Sequence, residues 1–338
     1  MRKFKRIEAG SYYSYLSEGC RLCRRGAKLV LFVTGLCPHK CYYCPISEEK
    51  RGKDVVFANE REVKSIEDVK AEIELMDALG AAITGGEPLV KLERVIEFLK
   101  LFKELDLHTH LYTSIPADKS VLEKLAKAGL NEIRFHPIDL KNVKSFEESV
   151  KASKSLGLEV GIEIPALRFS RELAEFVNRH DIFLNVNELE FSSTNYDELT
   201  KRGYEPNEHY GAKGSNEIAR QYAEIVEKFH YCTARFKDKA QMRRRFIRMA
   251  MNHPEFYEIT REGTLICGFI EGDKEKIEKA KQLLISKGQD FVEVEGGIET
   301  SAEFVEKWGQ TLKAEGLKVS IIERYPTSKR IIVEVIPL

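Results

Sequence analysis

The sequence predicts an α/β protein: a partial barrel of six strand–helix repeats, (β/α)6, followed by a small C-terminal α/β domain. Three observations predict it. From Lys28 to Phe191, short apolar runs alternate with longer amphipathic ones. That alternation is the pattern of a parallel sheet or barrel. Several of the short runs carry polar residues along one face, which a strand buried on both sides would not. The pattern then stops, and a shorter α/β pattern resumes near the C-terminus.

The elements follow in order. Residues 1–26 form an N-terminal extension containing a CxxC pair. The barrel region, 27–191, has strand-like runs at 27–34, 81–84, 108–114, 132–136, 158–164 and 183–191. Helical patterns lie between them at 66–79, 89–105, 121–129, 146–157 and 170–180. Six strands imply an incomplete barrel rather than a full eight. In the third run, His108, His110, Tyr112 and Ser114 share a face opposite Leu107, Thr109 and Leu111. In the fourth, Glu132, Arg134 and His136 oppose Ile133 and Phe135, and in the fifth Glu163 opposes Val160, Ile162 and Ile164. A polar lumen near the strands' C-terminal ends accounts for this, since such folds keep their active sites there. The plain alternative is edge or solvated strands. Residues 192–252 are a loop and helical extension, with a Gly-, Asn-, Ser- and Tyr-rich stretch at 192–215 that suits a functional loop or cap. Helices are expected near 216–229 and 238–251. The final domain, 253–338, has five strand-like runs and two helical ones.

Composition bounds the function. The 338 residues carry 54 basic and 54 acidic side chains, so no global charge draws the chain to nucleic acid or an anionic membrane. A charged fraction of 32% fits the ion-paired surface of a thermophile protein. No apolar stretch is long enough to span a bilayer, and the start lacks a signal core, so a cytoplasmic protein is expected. Five of the seven cysteines fall within the first 44 residues. Clustering of that kind indicates a metal or redox site more than disulfides.

The densest motif is Cys37-Pro-His-Lys-Cys41-Tyr-Tyr-Cys44, in the loop after the first strand. Three thiolates suit three irons of a cubane, leaving the fourth iron open to a cofactor or substrate. The alternative is zinc, with His39 as its fourth ligand. One β/α unit later stands Thr84-Gly85-Gly86-Glu87-Pro88, at the end of the second strand. Glycines there allow a close backbone approach.

Together CxxxCxxC, with aromatic Tyr43 before its last cysteine, and GGEP resemble the signature of the radical S-adenosylmethionine (SAM) superfamily. The resemblance covers about residues 27–191. Within the family the chain is most similar to the pyruvate formate-lyase activating enzyme branch and to uncharacterised archaeal members. It implies that Cys37, Cys41 and Cys44 hold a [4Fe–4S] cluster and that Gly85–Pro88 bind the methionyl amino group of SAM. It also implies reductive cleavage of SAM to a 5′-deoxyadenosyl radical that abstracts hydrogen from a substrate. Tyr43, Thr113, Ser114, Arg134, His136 and Glu163 follow as cofactor contacts by position, each with the plain reading of a satisfied core polar group. A ferredoxin- or flavodoxin-like reductant is the implied partner.

Cys20, Cys23 and Cys232 stand outside the signature. In a partial barrel the chain before the first strand and after the sixth can meet, so the three can converge. They suit a second [4Fe–4S] cluster, or zinc with His230 as fourth ligand. Cys267 lies in an apolar run and reads as a core thiol. Residues 235–248 are basic with interleaved Phe236 and Phe246, which on one helix would form an RNA-binding stripe. A solvated helix paired with acidic neighbours is the plain alternative. A tRNA- or RNA-modifying enzyme is thus the leading expectation. A glycyl-radical-type protein activase or a small-molecule enzyme is the alternative. A non-enzymatic zinc or iron–sulfur scaffold that binds nucleic acid is the reading from another class.

Overall fold

A computed structural model describes residues 4–338; the first three residues of the N-terminal extension lie outside the described residues. The chain forms two compact units, Met1–Glu74 with Ala78–Met242, and Leu75–Asp77 with Arg243–Leu338.

The first unit is built on β1 (Lys28–Phe32), β2 (Gly80–Thr84), β3 (His108–Thr113), β4 (Glu132–Phe135), β5 (Glu159–Pro165), β6 (Phe183–Asn187) and β7 (Phe229–Cys232). Each pairs in parallel with the next in sequence. The order never reverses, which is the topology of a barrel rather than a doubly wound sheet. Both ends are finished by short antiparallel strands, Phe57–Ala58 beside β1 and Tyr12–Tyr13 beside β7. The barrel stays partial, since the two edges do not pair with each other.

The outward positions Leu29, Leu31, Ile83, Leu111, Ile133, Ile162 and Val186 are fully buried against the helices. The inward positions of β3 to β7 are largely polar, as the sequence patterning anticipates, whereas Val30 and Ala82 on β1 and β2 are apolar. Six strands and the five helices between them fall where periodicity places them. The seventh strand does not. Residues 216–229 read as one helix, but the helix ends at Ile225 and Phe229–Cys232 enters the sheet. Four residues are too few for periodicity to announce a strand, although Phe229 and Tyr231 alternate with His230 and Cys232 as a lumen strand requires.

Helix α1 (Glu18–Arg24) closes the bottom of the barrel. Ser17 caps it, accepting from the Cys20 N–H. The Glu132 carboxylate accepts from the Gly19 N–H at 2.9 Å and the Ser17 hydroxyl at 3.0 Å. Glu159 accepts from Tyr15 at 2.6 Å. Both carboxylates stand at the first residues of their strands, so α1 seats at the strands' N-terminal ends. Gly19 has no room for a side chain: a Cβ would lie 2.5 Å from His110 Nδ1 and 2.7 Å from Arg134 Nη2.

The second unit has an antiparallel sheet of β8 (Leu265–Glu271), β9 (Phe291–Val294), β10 (Gly297–Thr300), β11 (Lys318–Arg324) and β12 (Ile332–Pro337). Their order is β9-β10-β8-β11-β12. Strand β10, with the sequence GIET, is one that composition hides. The helices Lys274–Ser286 and Ala302–Ala314 share a core with the sheet through Ala280, Leu284, Phe304 and Val305. Glu299 is fully buried and accepts from Arg324 at 2.9 and 3.0 Å and from Tyr257 at 2.5 Å. Cys267 is fully buried beside Leu265 and Ile322, a core thiol as expected.

Candidate active site

A cavity of about 530 Å³ runs through the barrel. Its upper wall is the loop after β1, with Cys37, Cys41, Tyr43 and Cys44. Gly85–Pro88, Thr113 and Ser114 lie beside that loop, and Arg134, His136 and Glu163 line the cavity from β4 and β5. Every residue that the sequence assigns to a cofactor therefore faces one space.

The cluster loop and the GGEP turn form one rigid piece. The Gly86 N–H donates to the Thr34 carbonyl at 2.7 Å, and the Glu87 N–H to the Leu36 carbonyl at 2.8 Å. A Cβ on Gly86 would lie 2.4 Å from the Leu36 oxygen, and one on Gly85 would lie 2.6 Å from that of Thr34. The glycines thus let the turn lie directly on the root of the cluster loop. Glu87 is 1% exposed. Its carboxylate accepts from the Ser114 N–H at 2.7 Å and Ser114 Oγ at 2.6 Å. It also accepts from Thr113 Oγ1 at 2.8 Å and the Leu89 N–H at 3.1 Å. Four donors replace a counter-ion, and they lock the end of β3 to the end of β2.

Tyr43 ties the loop to the wall. His136 Nδ1 lies 2.8 Å from the Glu163 carbonyl, which can only accept, so that nitrogen carries the proton. His136 Nε2 then accepts from the Tyr43 hydroxyl at 3.0 Å. Burial holds His136 neutral by lowering its pKa. The stretch 192–215 acts differently from a lid over the lumen. None of its residues lines the main cavity among the described residues. Instead Asn195 donates to the Tyr43 carbonyl at 3.0 Å, and Arg202 stacks 4.3 Å from the centre of the Tyr42 ring. The stretch clamps the cluster loop from behind.

Deeper in the lumen a second polar network appears. Arg134 donates to Glu132, Tyr112, Glu163, Ser17 and the Cys20 sulfur. All five of its N–H groups are engaged inside the chain. It braces the floor rather than presenting a free N–H to a cofactor. Glu163 is likewise used, accepting from Arg134, Asn185 and Asn187. Sequence reasoning missed the two asparagines; their i, i+2 spacing on β6 was the available signal. His108, Glu132 and Glu159 bring potential metal-ligand atoms within 4.8 Å of one another. Those carboxylates already receive the N-terminus of α1, and His108 pairs with Lys28 at 2.9 Å.

The basic stretch is not one helix. It runs through a short helix at Ala234–Phe236, a wide turn at Lys237–Met242 and a helix at Arg243–Met251. Phe236 is buried, Lys237 pairs with Glu190, Arg243 donates to the Arg261 carbonyl and Arg248 pairs with Asp77. The stretch therefore does not form the single helix that the RNA expectation assumed. Lys237, Arg243 and Arg248 serve contacts within the chain, while Arg235 and Lys239 are exposed.

The donor set fits the group that the motif implies. Three thiols on one loop at the C-terminal end of β1 are the chemistry of an iron–sulfur cubane with one open iron. Burial raises the Cys37 and Cys41 thiol pKa values, so without a metal these stay protonated, and metal binding releases the protons. The cavity also holds His110 and His230, 2% and 4% exposed, whose ring nitrogens have no partner among the described residues. Each such orphan costs about 1–3 kcal/mol unless something in the cavity meets it.

Fold, cluster loop and GGEP turn define a radical SAM enzyme, and comparison with known proteins agrees. Residues 31–141 match the family model of the radical SAM superfamily, and residues 263–338 match a domain of unknown function, DUF8061. The chain is 37% identical over 354 residues to the "Putative glycyl-radical enzyme activating enzyme MJ0021" of Methanocaldococcus jannaschii, covering 96% of this chain and 94% of the relative. It is 30% identical over 121 residues to a PqqA peptide cyclase of Granulibacter bethesdensis, 34% of this chain and 30% of that protein. Among solved structures, SuiB of Streptococcus suis bound to S-adenosylmethionine is 20% identical with a TM-score of 0.42, over 61% of this chain and 50% of that one. Methylornithine synthase is 15% identical with a TM-score of 0.38, over 54% and 63%. The chain belongs to the radical SAM superfamily. It is an enzyme of the [4Fe–4S] cluster and SAM. No helix of the described residues is long and apolar enough to cross a membrane.

Proposed function

We propose that this chain is an activating enzyme for a partner protein, using SAM to remove a hydrogen atom from a glycine of a glycyl-radical enzyme. The single observation that carries the reading is its likeness, along nearly its whole length, to the activating-enzyme relative of M. jannaschii. The expectation of an RNA substrate gives way to it, because the basic stretch is not one helix and Lys237, Arg243 and Arg248 are engaged within the chain.

In this reading Cys37, Cys41 and Cys44 are the three protein ligands of the cluster. The bound cluster supplies the electron that splits the SAM sulfonium to methionine and a 5′-deoxyadenosyl radical. Gly85–Pro88 seat the amino end of SAM beside the thiols. Glu87 holds Thr113 and Ser114 in place to meet the rest of the cofactor. Tyr43 and His136 fix the height of the cluster loop over the lumen. The polar wall keeps the cofactor oriented, and α1 shuts the lower mouth against solvent.

The test uses reduced, reconstituted enzyme with SAM and a purified glycyl-radical enzyme from the same organism, with total tRNA in parallel. The expected result is the glycyl-radical doublet by EPR, matched by 5′-deoxyadenosine, with tRNA nucleosides unchanged by mass spectrometry. A changed tRNA nucleoside with no protein radical would overturn the reading.

A further inference from the structure

Three of the four cysteines that the cluster loop does not use line one cavity inside the barrel. Cys20 and Cys23 lie on α1, Cys232 ends β7, and all three line the same cavity as the cluster loop. Cys20 Sγ receives the Asn185 side-chain N–H at 3.2 Å. Asn185 pairs across the sheet with His230, and Cys232 lies two residues further up that strand. We propose that Cys20, Cys23 and Cys232 hold a second iron–sulfur cluster, with its remaining coordination position turned into the reaction cavity.

Three observations carry this. First, three thiols from two distant parts of the chain, 20–23 and 232, are brought to one cavity lined by polar side chains. Second, a cation stands at the thiols: Arg134 Nη2 is 3.5 Å from Cys20 Sγ. Arg24, Lys28 and Lys237 line the same cavity, together with Glu163, Glu188 and Glu190. Third, His110 and His230 point into this space with both ring nitrogens unpartnered among the described residues. His230 shares the lumen face of β7 with Cys232.

The placement gives the cluster a role that does not depend on which substrate is used. It sits in the lumen that SAM and substrate would share, where an open iron can hold a substrate donor atom or pass an electron.

The experiment counts metal in the full chain, purified and reconstituted without oxygen. Wild type should carry about eight irons, two cubanes of four. The Cys37→Ser/Cys41→Ser/Cys44→Ser variant, altered only in the cluster loop, should keep about four irons with matching sulfide and an EPR signal on reduction that SAM does not change. The Cys20→Ala/Cys23→Ala/Cys232→Ala variant should keep the other four, with an EPR signal that SAM does shift. A cluster-loop variant free of iron would overturn the proposal, as would one zinc per chain in place of iron. Because that variant leaves the barrel interior intact, the proposal stays falsifiable even if the lumen variant fails to fold.

Discussion

Replacing Glu87 by Gln tests how the site is held together. The carboxylate is buried and accepts four hydrogen bonds, two from backbone N–H groups and two from hydroxyls. Gln has nearly the same shape and can keep the two bonds on the Oε1 side, to Thr113 and Leu89. On the other side its NH2 would face the Ser114 N–H, two donors in contact. The Ser114 hydroxyl can turn to accept; the backbone N–H cannot. One buried N–H left unmet costs about 1–3 kcal/mol, and the remaining bonds lose their charge assistance, so a loss of about 3 kcal/mol is expected. Glu87→Ala should cost about the same: it orphans two backbone N–H groups but no longer buries a carboxylate. The assay is reversible denaturant unfolding of the apo chain, followed by SAM binding to the reconstituted enzyme. SAM affinity should fall with stability, because Ser114 is no longer held. In a double-mutant cycle, Glu87→Gln and Ser114→Ala should be strongly non-additive. A Gln variant within about 0.5 kcal/mol of wild type, the range of a surface substitution, would refute the reasoning.

Three further predictions follow from the lumen and its floor. His108 has its pKa lowered to about 4, first by burial and then by Lys28. The unfolded chain therefore binds more protons than the folded one between about pH 6.5 and 4, and stability falls as pH drops through that window, by up to about 3 kcal/mol. Unfolding of wild type and His108→Gln at pH 7 and pH 5 should show the smaller loss in the variant; equal losses would count against the assignment. Gly19→Ala forces a methyl against His110, Arg134 and Glu132. It should destabilise by about 1–3 kcal/mol as overpacking does, measurable as a lowered unfolding midpoint at unchanged m-value. Asn195→Ala removes the bonds to the Tyr43 and Glu190 carbonyls and to the Ser192 N–H. It should speed loss of iron to a chelator and cost about 1–3 kcal/mol of stability, and an unchanged release rate would show that the clamp is idle.

Much of this was legible in the sequence, for physical reasons. The barrel strands announce themselves because period-two polarity survives on a strand that faces a wet lumen. His108, His110 and Tyr112 on one strand and Arg134 on the next carried that signal. The cluster loop and GGEP were legible because metal chemistry ties residue type to short spacing. What stayed hidden depends on contacts between distant residues. Strand β7 is too short for periodicity, so the register of Cys232 against Asn187 could not be read. The chemistry of Arg134 was visible, but its five donors are claimed by residues from Ser17 to Glu163. Composition made residues 235–248 a basic stripe; partners elsewhere in the chain engage Lys237, Arg243 and Arg248. The stretch at 192–215 looked like a lid by composition, yet Asn195 and Arg202 turn it toward the back of the cluster loop.

The most direct test of the central claim is 5′-deoxyadenosine formed from SAM after reduction, in wild type and in Cys44→Ala. The account predicts 5′-deoxyadenosine and methionine in equal amounts from wild type and none from Cys44→Ala. Reconstituted wild type that holds its cluster, binds SAM and yet releases no 5′-deoxyadenosine on reduction would contradict it.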